Sequence, residues 1–239
     1  MRPLALLVLI PLAACSGNVD AKTTTSGVNG SKTFALDGFS AVDSTGPDDV
    51  DVRVGSGFSV RAEGDTGIMA RLEIVRNGDT LEIRRKSNSG FSWGKSDRGH
   101  LKIYVTMPRI TAARSTGSGD VAIDHVEGDG FKVEATGSGD LSIASINVQR
   151  ADFSLTGSGS VSTSGSAKAG SFSVLGSGSI DAAKLTLSQA EISVTGSGDV
   201  SAAVAGPAKV DVMGSGDVTL TGGAKCTTSK LGSGRVTCS

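Results

Sequence analysis

The sequence predicts an all-β chain wound into a parallel β-helix, a solenoid with coils of about 20 residues and right-handed winding. Three observations carry this expectation. Gly-Ser-Gly triplets begin at Gly117, Gly137, Gly157, Gly176, Gly196, Gly214 and Gly232, a near-constant interval typical of stacked repeats. Apolar residues recur at fixed distances on both sides of most triplets. The composition, with 34 glycines and 4% aromatics, suits a narrow interior and many tight corners.

Each repeat is justified by alignment on its triplet. Four residues before it stand Val133, Phe153, Phe172, Ile192 and Val210, and two before it Ala135, Leu155, Val174, Val194 and Val212. Polar residues separate the columns: Glu134, Ser154, Ser173, Ser193 and Asp211. This alternation is that of a strand with one buried face. Two residues after the triplet the apolar pattern resumes at Val121, Leu141, Val161, Ile180, Val200, Val218 and Val236, and four after it at Ile123, Ile143, Ala182, Ala202 and Leu220. Both flanking strands therefore face one core, and the triplet is the corner between them. Glycine-rich turns also make hairpins. A meander, however, matches residues across a turn, whereas here the match lies one full period away, which favours the solenoid.

The start of the chain reads as an export signal. Arg2 is the positive n-region, Leu4 to Leu12 an apolar stretch too short to span a bilayer, and small residues precede Cys15. Leu12-Ala13-Ala14-Cys15 resembles the bacterial lipobox, which implies lipid on Cys15 and a signal peptide over 1–15; an ordinary secretory signal with a chance cysteine is the alternative. Ser16, not Asp, follows, which favours the outer membrane. Residues 16–33 are rich in Ser, Thr, Gly and Asn and read as a flexible tether. The remainder, 34–239, is one solenoid domain, with irregular coils and a cap over 34–110 and regular repeats over 111–239. Within the irregular part, Gly55-Ser56-Gly57 reads as an outlying corner, a helical turn is expected between Ile68 and Ile74, and Asn77-Gly78-Asp79 is a turn.

Phe39-Ser40-Ala41-Val42, Asn77-Gly78-Asp79-Thr80-Leu81-Glu82-Ile83, and Leu101-Lys102-Ile103-Tyr104-Val105-Thr106-Met107-Pro108 running into Ser115-Thr116-Gly117-Ser118-Gly119-Asp120 together resemble the head GIN domain family of auto-transporter adhesins. The resemblance covers nearly the whole domain. It implies a β-helical secreted or surface lipoprotein domain and carries over no catalytic residue.

Asp120, Asp140, Asp199 and Asp217 follow their triplets, with Ser160 and Ser179 in the middle and Arg235 last. Stacked carboxylates suit a hard cation, but the interruption favours hydrogen bonds to turn amides and no metal. Thr116, Thr136, Thr156 and Thr195 form a hydroxyl column that Leu175, Met213 and Leu231 interrupt. Phe91 and Trp93 lie in the polar segment Ser87 to Gly99, and they suit either contact with a glycan or protein ligand or a seal on the solenoid flank. Cys226 takes the place of Ala190 and Ala208, and Cys238 that of Leu220; in an exported chain the two are expected to form a disulfide across the last coil. His100 and His125 sit in no nucleophile or metal motif, and no cofactor is expected. A net charge of −1 with interspersed signs and no basic aromatic stripe argues against nucleic acid. The expectation is a lipid-anchored envelope module without chemistry of its own, structural or binding. A carbohydrate-active β-helix enzyme and a periplasm-facing scaffold for envelope stress or assembly are the alternatives.

Overall fold

The computed structural model describes residues 28–86 and 99–239, and the stack has about six turns. Its construction begins at the corner. The first glycine of each triplet holds a positive φ, +122° at Gly137 and +125° at Gly157, a region that favours glycine. The next two amides turn toward the coil below: Ser138 and Gly139 donate to the Gly117 carbonyl at 2.9 and 3.2 Å. Stacking is so close that a Cβ on Gly137 would lie 2.2 Å from that carbonyl oxygen. Glycine is thus required for conformation and for proximity together.

The elements run β1 (Asn29–Phe34), β2 (Ala41–Gly46), β3 (Asp49–Val54), β4 (Ser59–Asp65), α1 (Thr66–Met69), β5 (Leu72–Asn77), β6 (Thr80–Arg85), β7 (Lys102–Met107), β8 (Ala112–Gly117), β9 (Val121–Ile123) and β10 (Val126–Gly137). The regular coils follow as β11 (Leu141–Gly157), β12 (Ser160–Gly176), β13 (Ser179–Gly196), β14 (Asp199–Val204), β15 (Pro207–Gly214), β16 (Val218–Thr221), β17 (Lys225–Gly232) and β18 (Val236–Cys238). From β8 onward every pairing is parallel, each residue on its equivalent one coil earlier, as Val133↔Phe153↔Phe172↔Ile192↔Val210. The columns expected to be apolar are buried except at Val236 on the last coil, which is partly buried; Thr163, paired with Ile143, is a buried polar residue in their midst, with its hydroxyl unbonded. Large and small residues complement one another along the axis. Phe153 and Phe172 stack with centroids 5.2 Å apart, and Gly170 leaves the room that Phe172 and Leu187 fill.

The N-terminal coils do not stack in sequence order. The coil of β2 and β3 lies between that of β6 and β7 on one side and that of β8 and β9 on the other. Beyond it, β4 runs antiparallel on β7, β1 antiparallel on β4, and β5 antiparallel on β6, so hairpin-like pairings replace the repeat at that end. The helical turn is α1, which begins at Thr66, ahead of the expected Ile68, and ends at Met69; its first amides are held by the Asp65 carboxylate, Gly67 at 2.8 Å and Ile68 at 3.0 Å.

Two readings of the sequence are corrected here. Gly55-Ser56-Gly57 is not a corner of the stack: it reverses the chain from β3 into antiparallel β4. The equivalent corner is Gly46-Pro47-Asp48, since Gly46 pairs with Gly117 and its carbonyl accepts the Ser118 and Gly119 amides at 3.2 and 3.1 Å. Residues 29–33, expected to belong to a flexible tether, lie instead in β1 (Asn29–Phe34). Its backbone groups complete the edge of β4, a contribution that needs no apolar side chain.

Candidate functional site

The aspartate column is a set of joints between coils. Asp49 Oδ1 accepts the Asp120 amide (3.1 Å), Asp120 the Asp140 amide (2.9 Å), and Asp140 both the amide and the hydroxyl of Ser160 (2.9 and 2.8 Å). Further along, Asp199 accepts the Asp217 amide (2.9 Å) and Asp217 the Arg235 amide (2.8 Å). A serine hydroxyl is too short to repeat the gesture. Above Ser160 and Ser179, the Ser179 and Asp199 amides turn to the carbonyls of Gly159 and Gly178, both at 3.2 Å. The carboxylates thus serve backbone amides, but those of the next coil and not of their own turn. Among the described residues no group of three or more His, Cys, Asp or Glu is placed to hold a metal ion.

The threonine column is one axial row, Thr136↔Thr156↔Leu175↔Thr195↔Met213↔Leu231. Leu175, Met213 and Leu231 are 52%, 56% and 69% exposed, so the interruptions are apolar side chains in water.

A third feature lies at the base of the segment Ser87 to Gly99, where the sequence pointed to Phe91 and Trp93 but not to Arg85 or Asp48. Between β6 and β7, residues 86–101 replace the tight corner that Gly46-Pro47-Asp48 makes one coil away. The base of this insertion is clamped. Arg85 and Asp48 form a buried ion pair, with Arg85 Nε donating to Asp48 Oδ2 at 2.8 Å. Arg85 Nη2 also donates to the Gly99 carbonyl (2.7 Å), and the Leu101 amide to Asp48 Oδ1 (2.8 Å). His100 Nδ1 stands beside the Pro47 carbonyl. The sequence signal was Gly-Pro-Asp between two alternating stretches, a turn whose acid reaches a distant arginine. Phe91 and Trp93, within the insertion, lie outside the described residues, as does Cys15.

Cys226 and Cys238 are bonded, Cα atoms 6.6 Å apart, at the register positions of Ala208 and Leu220. His125 Nδ1 lies 3.2 Å from Asp124 on the surface. A hollow of about 570 Å³ is bordered by Asp51, Arg53 and Asp124. Its acids are engaged: Asp51 with Arg53 at 3.3 Å, and Asp124 with the Val54 amide at 2.9 Å. Near the cap, burial pushes the Asp43 carboxyl above the usual carboxylate range; Arg114 opposes this, and Glu82 and Glu134 reinforce it. The hydrogen bond from Lys132, with Arg114 adding, holds Glu134 below that range. No helix among the described residues is long and apolar enough to cross a membrane.

Known structures share this architecture. A "putative adhesin" from Bacteroides fragilis superposes with a TM-score of 0.80 at 22% identity, over 89% of this chain and 98% of that one. A second "putative adhesin", from Parabacteroides distasonis, gives 0.71 at 20% identity, covering 89% and 98%. A "putative lipid binding protein" from the same organism gives 0.69 at 21% identity, covering 89% and 97%. At these identities the likeness is one of fold. No curated protein matches the chain. The model of the family described as "Putative auto-transporter adhesin, head GIN domain" matches residues 38–224, from just before β2 to just before β17, and the chain belongs to that family.

Proposed function

We propose that this protein is a non-catalytic binding module of the bacterial cell envelope, adhesin-like, tethered to the outer membrane by lipid on Cys15. Its ligand, a glycan or a protein, engages the insertion between β6 and β7 through Phe91 and Trp93. The observation that supports this reading is the clamp at the insertion's base. At the equivalent corner of the regular coils a glycine triplet turns the chain, yet here a buried Arg85–Asp48 pair is committed to fixing a longer segment. Burying two charges is costly unless the geometry is good, so such a pair is weak evidence for stability alone. It suits a scaffold that presents a loop.

The test combines a glycan array with surface labelling of intact cells, using the wild-type chain and Trp93→Ala. Binding together with surface exposure, lost in Trp93→Ala without a change in circular dichroism, is the expected result. A Trp93→Ala variant that keeps full binding, or a chain that is never exposed, would overturn it. Fractionation of Cys15→Ser cells checks the anchor, since that chain should leave the membrane fraction.

A further inference from the structure

The row of exposed apolar side chains is explained neither by the core nor by the insertion. Leu175, Met213 and Leu231 occupy one register column beside the corner, with Thr195 between the first two. Coils rise about 4.8 Å each, so the three form a straight ridge roughly 14 Å long. Its outer end lies on the coil of β17 and β18. There the outward apolar residue is joined by cations: Lys225, Lys230 and Arg235 are all exposed, and no Asp or Glu follows Asp217 in the sequence. On the preceding coil Asp217 accepts the Arg235 amide at 2.8 Å and Asp211 pairs with Lys209 at 3.2 Å.

From this combination we infer that the coil of β17 and β18, with the ridge Leu175–Met213–Leu231, docks on the surface of an anionic phospholipid bilayer. Apolar side chains enter the headgroup boundary while lysine and arginine meet the phosphates, the arrangement of interfacial segments. Two other occupants fit less well. Stable protein interfaces bury about 800 Å² per partner, more than three side chains in a row supply, so a second copy is disfavoured. Strand addition to β17 is disfavoured because the inward columns end there in polar residues. Thr228 follows Val210 and Lys230 follows Val212, so a further coil would bury an unpaired ammonium. A soluble polyanion would use the cations but leave the ridge without a role. This inference does not rest on the insertion between β6 and β7, which lies toward the opposite end of the stack, and its test fails separately.

The probe is vesicle co-sedimentation of the full chain carrying Cys15→Ser, so that no acyl chain contributes. Vesicles are phosphatidylcholine alone, or phosphatidylcholine and phosphatidylglycerol in equal parts. Threonine is the column's own residue at position 195, so Leu175→Thr, Met213→Thr and Leu231→Thr together preserve the fold, which a melt verifies. Binding to the mixed vesicles should fall roughly tenfold or more in this triple variant, and by a similar factor in Lys225→Gln/Lys230→Gln/Arg235→Gln. It should weaken with salt. A second readout places the contact directly. In a Trp93→Phe background, Leu231→Trp fluorescence should shift to the blue on mixed vesicles and be quenched by brominated lipid. Equal binding to both vesicle types, binding unchanged in either triple variant, or an unquenched Trp at 231 would overturn the inference. So would a dimer in solution that the threonine variant dissolves, or binding to heparin that rivals the vesicles and ignores the ridge.

Discussion

The corner glycines answer to two separable demands, and three substitutions can divide them. Gly78, in the hairpin between β5 and β6, has φ +60° and nothing within 4 Å of an added Cβ. Gly78→Ala therefore carries only the conformational cost, about 1 kcal/mol. Gly139 has no positive φ, but its Cβ would lie 2.2 Å from the Gly119 carbonyl oxygen. For Gly139→Ala to be accommodated, the coils must part, straining the corner bonds that Ser138 and Gly139 make to Gly117 at 2.9 and 3.2 Å. Overpacking strain and two weakened hydrogen bonds together come to about 3 kcal/mol. Gly137 carries both burdens, φ +122° and a contact of 2.2 Å with the Gly117 oxygen, so Gly137→Ala should cost about 4–5 kcal/mol. Urea unfolding followed by circular dichroism, with the disulfide intact, gives the three values. The expected order of loss is Gly137 above Gly139 above Gly78. If Gly139→Ala proves as mild as Gly78→Ala, the coils yield freely and the close-stacking account of the glycine column is refuted.

Three further outcomes are expected. Reducing the Cys226–Cys238 bond, which closes a loop of sequence separation 12, should cost about 3 kcal/mol in the chain-entropy picture and raise hydrogen exchange first in β17 and β18; unchanged exchange there would show that the last coil needs no clamp. Asp140→Ala and Asp140→Ser should cost about the same, roughly 1 kcal/mol or less, because the Ser160 amide can turn to the carbonyl below as its equivalents do above Ser160 and Ser179, and melts with chelator or added calcium should overlap, a large calcium-induced rise being the contrary result. Asp43 binds its proton more tightly in the fold than in the unfolded chain, so its ionised form costs stability above its folded pKa, and that cost is relieved as pH falls through it. Asp43→Asn should accordingly match or exceed the wild type in denaturant melts at neutral pH and lose any advantage in acid; a clear loss at neutral pH would mean that the carboxylate is held by a favourable partner.

What the sequence determined by itself was everything governed by the period. Corner positions, inward columns and the Cys226–Cys238 pairing follow from alignment on the triplets, because in a parallel stack each residue lies on its equivalent one repeat away. The tertiary structure alone decided matters where that equivalence fails or where chains meet side by side. Alternation tells β2, β6 and β8 that they are strands, not which lies beside which, since backbone pairing at a strand edge is blind to sequence distance. Hence the seating of the first coil between two later ones stayed hidden, as did the true corner at Gly46-Pro47-Asp48. The aspartates were legible as backbone acceptors, but their partners in the next coil depend on a stacking distance of a few ångströms. Leu175, Met213 and Leu231 looked like interruptions of a threonine column; only register and exposure together make them a continuous ridge in solvent. The Arg85–Asp48 clamp joins residues 37 positions apart, a contact set by the insertion's place in the stack and by no local pattern.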